Sequence, residues 1–587
     1  MTDQTDFRLI DGARVAVMGG GPAGAFFSYF LLDMAARVGR QIQVDIYEPR
    51  DFDIPGPAGC NMCAGVVSET LVQYLAAEGI NLPPTVVERG IDSYVLHMDV
   101  GSVRIDTARH EKRIGALYRG IGPRDLRATR WESFDKHLLS LATNKGARVV
   151  HQRVVEVSRE DGLVQIKAQH GAPEAYDLLV VAVGVNTAAL KLFEGMGFGF
   201  EPPRTTKCFV REYYLGEAAV EQYIGSSMHA FLLNIPHLEF AAIIPKGEYA
   251  TLSLLGEDID RDLLQSFVNE PVVKGCLPPG LPLDQVACWC APRINVKGSP
   301  QPFGDRIVFV GDCGVTRLYK DGIGAAYRAA KAAAATAIFH GVSAEDFRHH
   351  YWPVCRAMET DNLIGKLVFA IVRQIQRMGF ARRAVLGMVL GEQDNGTTSD
   401  RSMSMVMWDM FTGSAPYRSI LLRTLHPAFW IRFILELVLS IANYGGRLRT
   451  VRKENSPMKP TLFVNIALLL VLVLSLAACG GGNPGETVSA APPVGDPVAG
   501  ERIFTSACAG CHGLKGEGVQ GLSQNMTQSA FIASATDQEL FEYIKLGRTP
   551  DDQVKPARAA MPPKGGNPLL TDQNLYDTVA YIRLLQK

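Results

Sequence analysis

Apolar residues are arranged along this chain in three distinct patterns. Arg14-Val-Ala-Val-Met18 is a short apolar run that predicts a buried strand. It leads directly into Gly19-Gly20-Gly21-Pro22-Ala23-Gly24 and an alanine- and aromatic-rich stretch that predicts a helix. Gln43-Val-Asp-Ile-Tyr47 predicts a second strand, ending at Glu48. Far downstream, Phe429 to Ile441 has helical periodicity, with Arg432 and Glu436 one turn apart. Thr461 to Ala478 is an 18-residue apolar run broken only by Asn465 and Ser475. Residues 480–495 are rich in Gly, Pro, Ser and Ala without apolar period and predict a flexible linker.

The apolar run is just long enough to cross a bilayer core of about 30 Å. Arg447, Arg449, Arg452, Lys453 and Lys459 precede it against Glu454, which places its N-terminal side in the cytoplasm and its C-terminal side outside. One transmembrane helix over 458–479 is therefore expected. The same stretch, from Met458-Lys459 to Leu476-Ala477-Ala478-Cys479, resembles a bacterial lipoprotein signal peptide. That resemblance makes Cys479 a lipidation candidate and implies cleavage into two molecules.

At 587 residues the chain is too long for one core, and three to five domains or segments are expected. A net charge of −1, with no basic patch interleaved with aromatics, argues against nucleic acid as a partner. Of eleven cysteines, eight are scattered before residue 400, as expected of a reduced compartment. Residues 401–459 hold nine Lys/Arg against three Asp/Glu, and this basic region, taken as 401–457 up to the span, is read as interfacial helices on anionic lipid. A second basic stretch runs from Lys366 through Arg373 and Arg377 to Arg383.

Chemistry enters at Cys508-Ala509-Gly510-Cys511-His512. C-x-x-C-H is the attachment sequence of a c-type haem: Cys508 and Cys511 form thioethers and His512 becomes an axial iron ligand. No second ligand pair follows, which disfavours a zinc site. Attachment of this kind occurs outside the cytoplasm, in agreement with the expected topology. At the other end, the strand, glycine turn and helix of residues 14–37 form a dinucleotide fingerprint. Gly19 permits the turn, Gly21 admits a pyrophosphate, Gly24 allows close packing, and Glu48 is placed to meet a ribose.

Three further segments resemble the geranylgeranyl-reductase branch of the FAD-dependent oxidoreductases over residues 12–395. Arg130 with Phe134-Asp135 resembles an element whose arginine lies near FAD. Asp177-Leu-Leu-Val-Val-Ala-Val-Gly184 resembles the returning strand. Gly304-Asp305-Arg-Ile-Val-Phe-Val-Gly311-Asp312 resembles the second FAD motif, in which Asp312 holds the ribityl chain and Gly322-Ile-Gly324 opens a helix beneath the flavin. Pro245-Lys246-Gly247 and Cys63-Ala64-Gly65 resemble branch elements, but Ala242 and Ile243 replace the aromatics usual before the first. The resemblance implies FAD, an α/β Rossmann-type domain (parts 12–60, 120–190 and 300–345) and an inserted α+β substrate domain (195–295). It also implies C=C reduction of an isoprenoid or a quinone tail. Catalytic residues are not identified. Cys60 with Cys63, and Cys288 with Cys290, are candidate redox pairs, while His110, His229 and His237 read as structural or surface residues.

Residues 496–587 resemble a class I cytochrome c, an all-α module. The resemblance makes Met561, in Ala560-Met561-Pro562, the sixth iron ligand with Met526 as competitor, and His/Met ligation suits electron transfer. The expected whole is a redox protein of a bacterial inner membrane. Its flavin half would be cytoplasmic, its haem half extracytoplasmic, and its partners membrane lipid or quinone and respiratory redox proteins.

Overall fold

The structure, a computed structural model, describes residues 7–54, 59–61, 64–106, 114–120, 131–282, 288–395, 401–448, 495–518, 525–548, 561, 563–566 and 570–586.

Arg14–Met18 lies inside a six-stranded sheet. The order is Phe303–Gly304, Ile307–Phe309, Leu178–Val181, Arg14–Met18, Gln43–Tyr47 and Arg148–Val150, parallel except at the first pair. A parallel sheet must be covered on both faces, and alternate residues divide accordingly. Val15, Val17, Val44 and Val180 pack against the helices Pro22–Arg37, Phe134–Asn144 and Gly322–Phe339. Ala16, Met18, Leu179 and Val181 pack against a three-stranded antiparallel sheet, Val154–Glu160, Leu163–Ala168 and Glu174–Tyr176. The predicted strands, glycine turn and first helix are all present.

A seven-stranded sheet forms the second layer, ordered Cys288–Cys290, Phe209–Tyr214, Tyr249–Gly256, Leu238–Lys246, Ser227–Phe231, Ser93–Met98 and Gly101–Asp106. One face buries Phe209, Ile243 and Leu252 under the helix Arg261–Asn269. The other buries Leu96, Ile105 and Ile244 under a cap of five helices: Trp352–Arg377, Gly379–Asn395, Ser402–Thr412, Tyr417–Thr424 and Pro427–Leu448. Met403, Met407, Phe411, Phe429 and Phe433 are buried in that core. Residues 402–448 thus complete the first unit.

The expectation of a transmembrane helix is corrected. Among the described residues no helix is long and apolar enough to cross a membrane, and 458–479, with Cys479, lies outside them. Pro427–Leu448 is strongly apolar, yet Arg432 and Glu436 interrupt its middle and Phe429 and Phe433 seat one side of it on protein.

The C-terminal unit has its own core. Pro497–Ile503 crosses Asp572–Leu585 so closely that a Cβ on Gly500 would stand 1.9 Å from the Asp577 carbonyl oxygen. Asp537–Leu546 packs on the same terminal helix, its start fixed by a capping box between Thr536 and Glu539.

Candidate functional site

The glycine turn is built for close approach. Gly19 has φ +103° and a Cβ there would meet the Ala182 carbonyl oxygen at 2.6 Å; on Gly24 it would meet the Gly19 carbonyl oxygen at 1.9 Å. The helix that follows starts with Pro22 and has no side-chain cap at Gly21, so its first N–H groups point outward as an anion site. The Gly20 N–H donates to Glu48 Oε2 (2.9 Å), and Arg50 holds the same carboxylate from the other side (3.0 Å).

Around this turn the fold assembles residues from distant segments. A Cβ on Gly21 would touch Asn61 Nδ2 at 3.1 Å and Asp135 Oδ1 at 3.9 Å. Asp135 is fully buried and accepts two bonds from Arg119 (2.7 and 2.6 Å), with Asn61 donating to it as well. Arg130, the arginine predicted for this role, lies outside the described residues. Arg119 is the cation found here, and its only sequence signal was its position just after the buried strand Ile114–Leu117. Gly311 has φ +73° and would place a Cβ 2.7 Å from Ala23, so the second motif abuts the first helix. Burial raises the Asp312 carboxyl, against the opposing effects of Thr316 and Arg119. A Cβ on Gly322 would lie 3.9 Å from Asp312 Oδ1, while Gly324 sits against Asp321. Gly19, Gly21, Glu48, Asp312 and Gly322 therefore gather around the helix start, while Gly24 and Gly324 let the chain pack closely behind it. The missing side chains, uncapped N–H groups and carboxylates at both ends of this glycine path fit an FAD.

Beside this path the seven-stranded sheet presents a polar face. Glu212 is opposite Thr251 and Cys288, and Lys246 projects from the same side. Lys246 is fully buried and its Nζ has no hydrogen-bond partner among the described residues. Glu88 Oε2 stands 4.0 Å away. A Cβ on Gly65 would come within 3.0 Å of that Nζ, so a side chain at this position would crowd it. Burial raises the Glu212 carboxyl, while Lys246 and a bond from Thr251 oppose the shift. Burial also raises the Cys290 thiol, and the nearby Cys60 adds to the effect. Cys63 lies outside the described residues. Tyr118, Tyr249 and Trp131 pack together at the edge of this face. Two clefts, of 530 Å³ beside Gln265 and Leu281 and of 380 Å³ between His237 and Arg373, include no residue of the glycine turn.

His229 is a core residue, bonded through Nδ1 to His97 Nε2 (2.8 Å) with Cys276 Sγ 3.5 Å from the latter. Burial pushes His97 down to about 3, with the neighbouring His229 adding to it, and pushes His229 down to about 4. Both imidazoles are neutral when folded but titrate near 6.5 when unfolded. The stability this contributes is complete above pH 6.5 and is lost as pH falls toward 4 and 3. Urea unfolding at pH 5 is expected to show a loss of about 2 kcal/mol for each ring relative to pH 7. A His229→Asn variant should show a shallower pH dependence, and an unchanged slope would refute the assignment.

In the C-terminal unit Cys508 is buried, Cys511 half-buried, and neither is in a disulfide. His512 Nδ1 is buried without a hydrogen-bond partner among the described residues, and burial pushes the ring down to about 4. Met561 is held by a two-residue bridge to Arg548 (2.7 and 2.8 Å), and both Met561 and Met526 pack against the core that contains Cys508. Two cysteine sulfurs outside any disulfide, a neutral imidazole and a thioether around one core fit haem c. The attachment loop abuts the first unit, where Arg37 donates to Cys511 Sγ (3.4 Å).

A family model described as Cytochrome c matches residues 497–586. A search of curated proteins finds no match. Among solved structures, a variant of halogenase PltM in complex with FAD aligns with a TM-score of 0.48 and 13% identity, over 80% of this chain and 96% of that one. The p-nitrophenol 4-monooxygenase PnpA of Pseudomonas putida DLL-E4 aligns at 0.46 and 13%, over 70% and 99%. A flavoprotein/dehydrogenase of Cytophaga hutchinsonii aligns at 0.45 and 13%, over 69% and 93%. These likenesses are too weak to carry an argument about chemistry. Residues 497–586 are thus a cytochrome c domain that carries haem c, joined to a larger unit built on a six-stranded and a seven-stranded sheet.

Proposed function

We propose that the N-terminal unit is an FAD-dependent reductase of a carbon–carbon double bond in an isoprenoid lipid or quinone tail, joined to a cytochrome c electron carrier. The observation that carries this reading is Lys246, fully buried beside the glycine path with no hydrogen-bond partner for its Nζ among the described residues, 4.0 Å from Glu88 and close enough to Glu212 to oppose the rise of its carboxyl. When bound in the glycine path, FAD in its reduced form would supply hydride chemistry toward one carbon of the double bond. Lys246 donates the proton to the other carbon, so the substrate gains two electrons and two hydrogens while the cofactor is oxidised. Glu88 relays a replacement proton to Lys246. Tyr118, Tyr249 and Trp131 shield the reacting end from water.

Lys246→Met is expected to lower turnover about 10²–10⁴-fold, the usual range for losing a general acid, with FAD content unchanged. Single-turnover oxidation of the reduced enzyme by substrate tests it. Full activity in the variant would remove Lys246 from the mechanism.

The haem loop meets the far end of the first helix. Arg37 lies fifteen residues beyond Pro22, which is about 22 Å along the axis. This separation favours exchange between flavin and haem through a diffusible carrier such as a quinol. The self-contained core of the cytochrome unit supports a second reading, in which it acts as a separable extracytoplasmic carrier.

A further inference from the structure

We infer that the helical cap over the seven-stranded sheet is a docking face for an anionic lipid bilayer. Pro427–Leu448 is apolar on two sides. Phe429 and Phe433 are buried in the core, while Ile431, Ile434, Leu435, Val438 and Leu439 face solvent, Ile431 at 61% and Leu435 and Val438 at 58% exposure. Their spacing of i, i+3, i+4, i+7 and i+8 is one helical stripe. A surface helix of a globular protein buries one such stripe, so a second bare one calls for an apolar phase outside the protein.

The bare surface extends onto neighbouring helices. Leu422 and Leu425 are exposed at the end of Tyr417–Thr424, which packs on Trp352–Arg377 and contacts Pro427–Leu448. On Trp352–Arg377, Leu363, Leu367 and Ile371 form a second exposed stripe at i, i+4 and i+8. From Leu363 to Ser440 the exposed charged side chains on these three helices are Lys366, Arg377, Arg418 and Arg432, all basic. Asp409 and Glu239 are turned inward, paired with Arg423 and Arg373.

This charge pattern selects the occupant. A second copy of the chain would set these cations against themselves, whereas an anionic headgroup layer meets them with opposite charge while the leucines enter the acyl boundary. A lipid substrate of the proposed reductase would then lie against the cap, on whose inner side Ile244, two residues before Lys246, is buried.

The proposal shares with that reading only the lipid character of the substrate, and its test uses neither substrate nor turnover, so each can fail alone. Full-length protein is footprinted with hydroxyl radicals alone, with phosphatidylcholine vesicles, and with vesicles containing phosphatidylglycerol. Oxidation of Ile431, Leu435, Leu439, Leu363 and Leu367 is expected to fall several-fold with the anionic vesicles and to recover at high salt. A Leu435→Glu/Leu439→Glu variant, altered at exposed positions only, should keep its circular dichroism and haem content and lose this protection. Equal protection by the zwitterionic vesicles would overturn the electrostatic part. Protection in the absence of vesicles that rises with protein concentration would assign the face to a second copy. Protection that neither vesicles nor dilution changes would assign it to the chain's own run 461–478.

Discussion

Replacing Gly24 by alanine is expected to abolish FAD binding while leaving haem attachment intact. The new Cβ would stand 1.9 Å from the Gly19 carbonyl oxygen and 3.1 Å from Val17 Cγ1. The first of these is backbone and cannot rotate away, so the strand and helix must separate by more than an ångström. Gly19 cannot follow, because it is itself packed against the Ala182 carbonyl at φ +103°. The displaced turn then presents its N–H groups out of register with a pyrophosphate, and affinity for FAD falls at least about 100-fold, near the top of the roughly 1–3 kcal/mol that overpacking costs. Two comparisons separate geometry from general damage. Gly39→Ala has open space at its Cβ and only a positive φ of +71° to strain, so it should retain the flavin and lose about 1–2 kcal/mol of stability. Gly21→Ala meets the end of the Asn61 side chain at 3.1 Å, which can move, and should bind FAD weakly. Flavin absorbance of protein purified from cells, with the haem band as internal standard, gives the ranking; retention of flavin by Gly24→Ala would refute the proposed cofactor site.

The contrast between Gly24 and Arg119 shows which parts of this site a sequence can reveal. The glycine turn is local: its residues act within a few positions of one another, so strand, turn and helix were all readable from residues 14–37. Arg119 and Asp135 are partners only because a strand and a helix are brought together across a loop, and nothing in the spacing distinguishes Arg119 from the neighbouring Arg113 or Arg124. Lys246 and Glu212 share a face only through the register of the seven-stranded sheet, and Glu88 reaches them from a separate sheet, information that is absent until the strands are paired. The basic stretches 366–383 and 401–459 were legible as charge, but not as a cap. Phe429 and Leu435 have similar hydropathy, and only packing shows that one is buried and the other bare.

Cys508→Ala with Cys511→Ala is expected to eliminate covalent haem entirely. Both thioether bonds come from these sulfurs, and no other C-x-x-C-H exists in the chain. Without the group, Met526 and Met561 lose what they would pack against, and the neutral His512 ring is left a buried polar group with no partner among the described residues, a cost of about 1–3 kcal/mol. The C-terminal unit should therefore also become sensitive to proteolysis, while flavin content stays constant because none of the FAD path lies within residues 495–586. Met561→Ala provides the complementary case. It should keep its thioethers and stain for haem on a denaturing gel, but lose the sulfur-to-iron absorption band and shift to a lower reduction potential, since a methionine ligand raises it. An unchanged band would transfer the ligand role to Met526. The same gel of wild-type membranes, probed for the N-terminal unit, reads the connection between the halves. Haem stain and probe together near 63.9 kDa mean one intact chain. Haem on a much smaller band means that the two units work as separate molecules, and any loss of flavin reoxidation in the double mutant would then have to pass through a shared carrier.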